Sequence, residues 1–241
     1  MSTKELILEF FPEEREVIEP FFDWSLIEWY YNFLVECNER GGFFSKGDSE
    51  HILDRHLVES VYHVFAICQN LIVSRETKLC DVGTGPGLPG FLFVCLNKAP
   101  AVTLVDSQSR RLKLLQEAVA KTKTNNTVEF IFNRAEEIKQ KFSLVVSRAF
   151  IPYPFSAEVV TRLVTKNGYY LPFLGQKDAD VKLEADILSN NGYTLEKIIE
   201  LKKISFLGRR HIKLLKKTGV PVQGYPRPWK TITKEIQKYN G

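Results

Sequence analysis

Residues 78–90, Lys-Leu-Cys-Asp-Val-Gly-Thr-Gly-Pro-Gly-Leu-Pro-Gly, constrain the fold more than any other stretch. The run ending at Val82 is short and mostly apolar, the size of a buried parallel strand. Glycine then falls at positions 83, 85, 87 and 90. Without a Cβ, glycine lets the backbone turn sharply and approach a ligand closely. Phe91-Leu92-Phe93-Val94-Cys95-Leu96 follows, an apolar face that starts a helix. Strand, glycine loop and helix open a doubly wound nucleotide-binding sheet, whose ligands sit at the carboxyl ends of the strands.

The loop has two registers. Read from Gly85 it matches G-x-G-x-x-G, the dinucleotide fingerprint, but that pattern then begins after the strand has already ended near Val82. Read from Asp81 it is D-x-G-x-G-x-G, the first motif of S-adenosylmethionine (AdoMet) methyltransferases. AdoMet has no pyrophosphate, so Pro86 and Pro89 are tolerated where a phosphate loop needs free amides. Asp106 closes the next apolar run, Val102-Thr103-Leu104-Val105. A carboxylate there accepts both ribose hydroxyls, each charged hydrogen bond worth about 1.5–3 kcal/mol. Nicotinamide enzymes use the same carboxylate, so Asp106 indicates an adenosine ribose without choosing the cofactor.

The chain has 241 residues, 44% hydrophobic and 26% charged, enough for one sizeable domain with an appendage. No window approaches the roughly 18 apolar residues of a membrane span. Glu5, Glu9, Glu13 and Glu14 give the amino terminus the wrong sign for a targeting peptide. Four cysteines (37, 68, 80, 95) without C-x-x-C spacing read as reduced thiols of a cytoplasmic protein. The four histidines (51, 56, 63, 211) show no metal-ligand spacing, so no metal is expected. Charge is uneven: residues 1–40 hold ten acids and three bases, and residues 202–241 hold eleven bases and one acid. Such asymmetry points to a nucleic-acid partner met by the carboxyl-terminal end.

Helical periodicity covers 21–38, with Trp24, Ile27, Tyr31, Leu34 and Val35 on one face, ended by Gly41-Gly42. A second helix starts at Asp48 or Ser49, and residues 1–75 make a helical cap. Strands are predicted at 79–82, 102–106, 128–132, 143–147, 168–174, 195–201 and 210–215, and helices at 88–97, 109–122, 153–166 and 178–191. Alternation of this kind implies an α/β sheet, mostly parallel and covered on both faces. The last two strands form an antiparallel edge hairpin, the ending of the Rossmann-like class I AdoMet methyltransferase sheet. Residues 76–217 are the transfer domain. Residues 218–241 read as an extended tail and a short basic helix.

Further blocks carry a resemblance. They are Arg55-His56-Leu57-Val58-Glu59-Ser60, Asp81 to Gly90, Leu104-Val105-Asp106-Ser107 with Arg111, Arg134-Ala135-Glu136-Glu137, Ser147-Arg148-Ala149-Phe150, Arg210-His211 and Tyr225-Pro226-Arg227. In this order they resemble the RsmG (GidB) family, guanine-N7 methyltransferases of 16S ribosomal RNA, over about residues 24–228. The resemblance implies methyl transfer from AdoMet to N7 of a guanine in the decoding-centre loop of the small ribosomal subunit. It implies that Asp81, Gly83, Thr84, Gly85, Gly87, Leu88, Asp106 and Ser107 hold the cofactor. Ala135 and Glu136 contact the adenine, and Arg148 faces the reacting centre. It also implies that Arg55 and His56 border the substrate mouth, although a histidine simply packed where the cap meets the sheet is an equally open reading of His56, and that Arg134 either touches RNA or holds Glu136 in place. The chain departs from the family pattern at Gly42-Phe43-Phe44, at Leu174 and after Pro228.

Guanine N7 carries a lone pair and no proton, so in-line attack on the sulfonium methyl needs alignment rather than a general base. The sequence accordingly shows no catalytic triad, no N-P-P-Y or D-P-P-Y motif and no Pro-Cys pair. Arg148 has the planar fork suited to the methionine carboxylate or a substrate phosphate. The carboxyl-terminal bases, among them Arg209, Arg210, Arg227 and Lys230, are expected on RNA phosphates, with Trp229 or Tyr225 stacking on a base or docking the tail. Two other readings stand beside this one: a nicotinamide-dependent oxidoreductase, and an inert ribosome-binding module that keeps an AdoMet pocket. A monomer is expected.

Overall fold

The computed structural model describes residues 1–41, 43–122, 124, 126–175 and 179–240. Gly42 and Gln176, singled out above, lie outside the described residues. The amino-terminal helices are α1 (Thr3–Leu8), α2 (Arg15–Ile18), α3 (Trp24–Gly41) and α4 (Glu59–Asn70). Among the described residues a seven-stranded sheet follows: β1 (Lys78–Val82), β2 (Ala101–Val105), β3 (Val128–Ile131), β4 (Phe142–Arg148), β5 (Val164–Leu174), β6 (Tyr193–Glu200) and β7 (His211–Lys217). Between and after the strands run α5 (Gly90–Val94), α6 (Ser109–Val119), α7 (Phe155–Val160), α8 (Val181–Asn190) and α9 (Trp229–Asn240).

The strand order is β3-β2-β1-β4-β5-β7-β6. Strands β1 to β5 pair in parallel, and β7 pairs antiparallel with both β5 and β6. The expected antiparallel ending is present, with β7 inserted between β5 and the edge strand β6. Chain order reverses between β1 and β4, and a crevice opens there at the carboxyl ends. The β1–α5 loop and the Ser147–Phe150 segment flank that crevice.

Side chains alternate across the sheet. Leu79 of β1 joins the apolar cluster shared with α1, α3 and α4, while Cys80 and Val82 join the one packed under α7, α8 and α9. Four expectations shift. Helix α3 begins at Trp24 because the Asp23 carboxylate accepts the Leu26 N–H at 3.1 Å, while Phe22 bridges to Leu96. Its buried stripe runs through Tyr30 rather than Tyr31. Helix α5 stops at Val94, since the Cys95 carbonyl instead accepts the Asp23 N–H. The helix expected over 153–166 ends at Val160, because the β-branched residues from Val164 extend β5.

Candidate active site

A cavity of about 460 Å³ lies in the crevice, within the range of small-molecule sites. The glycine loop forms its floor through Gly83, Thr84, Gly85 and Leu88; Asp106, Ser107, Ala135 and Glu136 line it, and Arg148 faces it. The carboxylate of Asp106 accepts the Gly85 N–H at 2.8 Å and the Gln108 N–H at 2.7 Å, leaving lone pairs on both oxygens. Gly85 has a φ of +59°, and a Cβ there would meet nothing nearer than Arg111 Nη1 at 3.9 Å, so it opens on the cavity. These features fit AdoMet: acceptors for a ribose, a loop that a cofactor approaches closely, and a cation for a carboxylate.

Two expected cofactor residues sit behind the loop instead. Asp81 is wholly buried, and one of its oxygens accepts from Thr84 Oγ1 at 2.6 Å and from the Gly90 N–H at 2.8 Å. Burial pushes its carboxyl up to about 6, against the lowering from those hydrogen bonds and from Arg148. Gly87 has a φ of +112°, and a Cβ there would fall 2.5 Å from Leu115 and 2.9 Å from the Tyr30 hydroxyl. Its task is close packing of the loop on α3 and α6.

Arg148 is held from three sides. Its Nη1 donates to Glu59 Oε2 at 3.1 Å and to Ser60 Oγ at 3.3 Å. Its Nη2 donates to His56 Nδ1 at 3.4 Å. The next residue, Ala149, has a φ of +51°, costing about 1–2 kcal/mol for a non-glycine residue. This kink turns the chain out of β4 beside the cavity. His56 lies within a wide π-helical stretch, Ile52–Val58, a geometry common at functional sites. Burial and the Arg148 charge push its pKa down to about 4, so the ring is neutral. Since Nδ1 accepts from Arg148, the ring proton sits on Nε2, which has no protein partner and belongs to a residue lining the cavity.

The expected RNA contacts separate. Arg134 lines the cavity, pairs with Glu136 at 3.4 Å and lies over the Trp229 ring at 5.7 Å. Arg55 stands outside, 3.4 Å from Asp48. Arg209 pairs with Glu200, Arg210 with Glu59, Lys203 with Glu13 and Glu14, Lys213 with Glu184 and Lys216 with Glu196. Arg227 gives its backbone N–H and its guanidinium to Glu158 and also pairs with Glu235, which makes it a tail clamp rather than a phosphate ligand. Lys230 is exposed. Much of the carboxyl-terminal charge is thus neutralised within the fold.

Sequence reading missed Phe44 as a wall residue. It stacks on His56 with ring centroids 4.3 Å apart, and its only sequence signal was the departure at Gly42-Phe43-Phe44. Arg111, seen only as part of a block, ties α6 to that segment by donating to the Phe43 carbonyl at 3.1 Å.

Solved structures share the architecture. Geranyl diphosphate C-methyltransferase from Streptomyces coelicolor A3(2) superposes with a TM-score of 0.54 at 10% identity, covering 67% of this chain and 77% of its own. Mycolic acid cyclopropane synthase CmaA1 gives a TM-score of 0.51 at 13% identity, covering 66% of this chain and 85% of its own. At such identities the likeness shows the fold alone. Fold and pocket together define a class I AdoMet-dependent methyltransferase. The profile of one family, described as rRNA small subunit methyltransferase G, matches residues 23–213. Relatives of that name are 50% identical in Leptospira biflexa serovar Patoc, over 100% of this chain and 98% of theirs. In Leptospira interrogans serovar copenhageni the figures are 49%, 100% and 94%. The chain belongs to the rRNA small subunit methyltransferase G family. The oxidoreductase and inert-module readings are set aside with it.

Proposed function

We propose that the enzyme methylates N7 of a guanine in the decoding-centre loop of 16S rRNA. The carrying observation is the cavity's polarity: carboxylates of Asp106 and Glu136 at the adenosine side, and the Arg148–His56 pair facing the reacting side. AdoMet supplies the electrophilic methyl group. Arg148 orients the methionine carboxylate, and no proton need be removed from N7. Guanine presents O6 beside N7 on the same edge, and the buried, unpartnered Nε2–H of His56 is the donor assigned to that oxygen. Phe44, stacked on His56, extends the platform. The reading keeps the division into cap (1–75), transfer domain (76–217) and tail (218–241). It also keeps a cytoplasmic monomer without metal.

The test is transfer of labelled methyl from AdoMet to small-subunit and large-subunit particles, followed by borohydride–aniline cleavage at N7-methylguanine. A single cleavage in the small-subunit decoding loop is expected. Label elsewhere would keep the enzyme class and discard the target; no label at all would discard the acceptor.

A further inference from the structure

With so many carboxyl-terminal bases paired internally, a group of cations without a carboxylate partner draws attention to a different surface. Lys139, Lys141, Arg162, Lys166 and Lys217 line a groove of about 760 Å³ on the helix side of the sheet. Lys141 directly precedes β4, Lys166 lies near the start of β5, and Lys217 ends the antiparallel β7. All five therefore gather at the amino ends of the parallel strands. Six residue steps along β4 separate that end from Arg148, about 20 Å at roughly 3.3 Å per residue.

Among the described residues none of the five has an ion pair with an acid. Two carboxylates stand in the groove, Glu136 and Glu137, and Glu136 is turned toward Arg134. Lys217 is the telling member. Its side chain is buried, yet its ammonium meets only neutral groups: Thr161 Oγ1, the Asn191 carbonyl and the Tyr193 ring, whose centroid is 4.6 Å away. An ammonium has three N–H donors, and none of these three partners is an anion. Burial and the nearby Lys141 charge together push the Lys217 pKa down to about 8. A buried cation facing like charges lowers stability unless an anion joins it, and such a cluster lining a groove is a candidate anion site.

The groove is continuous with the active site. A small cleft beneath the tail shares Glu136 and Trp229 with the cofactor cavity, and Glu136 and Arg162 with the basic groove. We propose that this groove binds phosphates of the substrate RNA strand several nucleotides from the target guanine, the strand running past Trp229 and Arg162. The inference rests on the acceptor being RNA.

The experiment compares wild type with K139Q/K141Q/K166Q, three exposed positions outside the cofactor cavity. Filter binding of protein-free 16S RNA is followed between 50 and 200 mM salt, and methyl transfer and AdoMet affinity are measured alongside. Losing three phosphate contacts should make the slope of log K against log salt shallower by about 2, at roughly 0.7 per single-strand contact. KM for RNA should rise about tenfold, with kcat and AdoMet affinity unchanged. An unchanged slope and KM overturn the groove as an RNA site. So does a loss confined to assembled particles with protein-free RNA bound as before, since the surface would then read ribosomal protein. Wild-type transfer to 16S RNA is scored separately; its failure would strike the proposed acceptor and leave the slope comparison to judge the groove.

Discussion

Arg148 and Arg210 divide one carboxylate between them: Glu59 gives Oε2 to Arg148 at 3.1 Å and Oε1 to Arg210 at 2.5 Å. Burial alone would raise the Glu59 pKa, but the Arg148 charge, with His63 and Arg210, holds it below the ordinary carboxylate range. Glu59→Gln leaves two half-buried guanidiniums without their shared carboxylate. Removing one partner of such a cluster costs about 3–5 kcal/mol, to be read as a lower urea midpoint. Arg148→Ala is gentler on the fold, since Arg210 still covers Glu59. It should cut methyl transfer about a hundredfold by misaligning the cofactor. Wild-type turnover in that variant would remove Arg148 from the mechanism.

Asp81 sets stability against binding. Both donors, Thr84 and Gly90, reach the same oxygen, and the other oxygen has no protein partner. Asparagine keeps the shape and the accepted bonds but not the charge. With the folded pKa at about 6 against 3.8, Asp81 favours the fold below pH 3.8 and loses that contribution as pH rises through 6. Asp81→Asn should therefore be more stable than wild type above pH 6, by up to about 3 kcal/mol at 1.36 kcal/mol per unit. The gain should vanish near pH 3.8 in urea titrations. Calorimetry with S-adenosylhomocysteine should show about tenfold weaker binding, because the loop loses its anionic anchor.

The sheet was legible because the signals were local: four glycines behind an apolar run, then six further strands at regular spacing. The cofactor cavity was legible for the same reason, since the residues after β1, β2, β3 and β4 each end a visible strand. Side-chain partners were not. Nothing local tells that Arg227 reaches Glu158, 69 positions away, or that Lys203 finds Glu13 and Glu14. A basic segment therefore read as an RNA surface when much of its charge is neutralised by acids from distant elements. Phe44 likewise entered the site beside Phe43, whose carbonyl is tied to Arg111 of α6, a contact that no periodicity encodes.

His63 should share the acid limb of stability with His56, whose pKa falls by as much. The His63 Nδ1–H donates to the Glu59 carbonyl at 2.6 Å, its ring stacks on Phe173 at 4.3 Å, and Nε2 is buried without a partner. Burial pushes its pKa down to about 4 from 6.5, with Arg148 and Arg210 also opposing a second charge. The stability this represents is present above pH 6.5 and is lost as pH falls through 4, opposite in sign to Asp81. Denaturant titrations at pH 7 and pH 4 should show His63→Phe losing about 3 kcal/mol less than wild type over that window. Parallel curves would mean that His63 titrates normally.

The tail clamp makes the last prediction. Glu158 is wholly buried on α7 and takes Arg227 Nε at 2.9 Å, Nη2 at 2.7 Å and the Arg227 backbone N–H at 2.7 Å. This fixes the start of α9, where Ile232 is buried, and holds Trp229 at the cavity wall beside Arg134. Arg227→Ala strands a buried carboxylate and should cost about 3–5 kcal/mol. Lysine, lacking the planar fork, should restore only part of it. Adding Glu158→Gln to Arg227→Ala should recover stability, because the unpaired charge is gone. Cofactor affinity should fall in the single variant as Trp229 leaves the wall, while the salt dependence of RNA binding stays as in wild type. A shallower salt slope would instead return Arg227 to the RNA interface, and an unchanged urea midpoint would mean that the clamp contributes nothing to holding the tail.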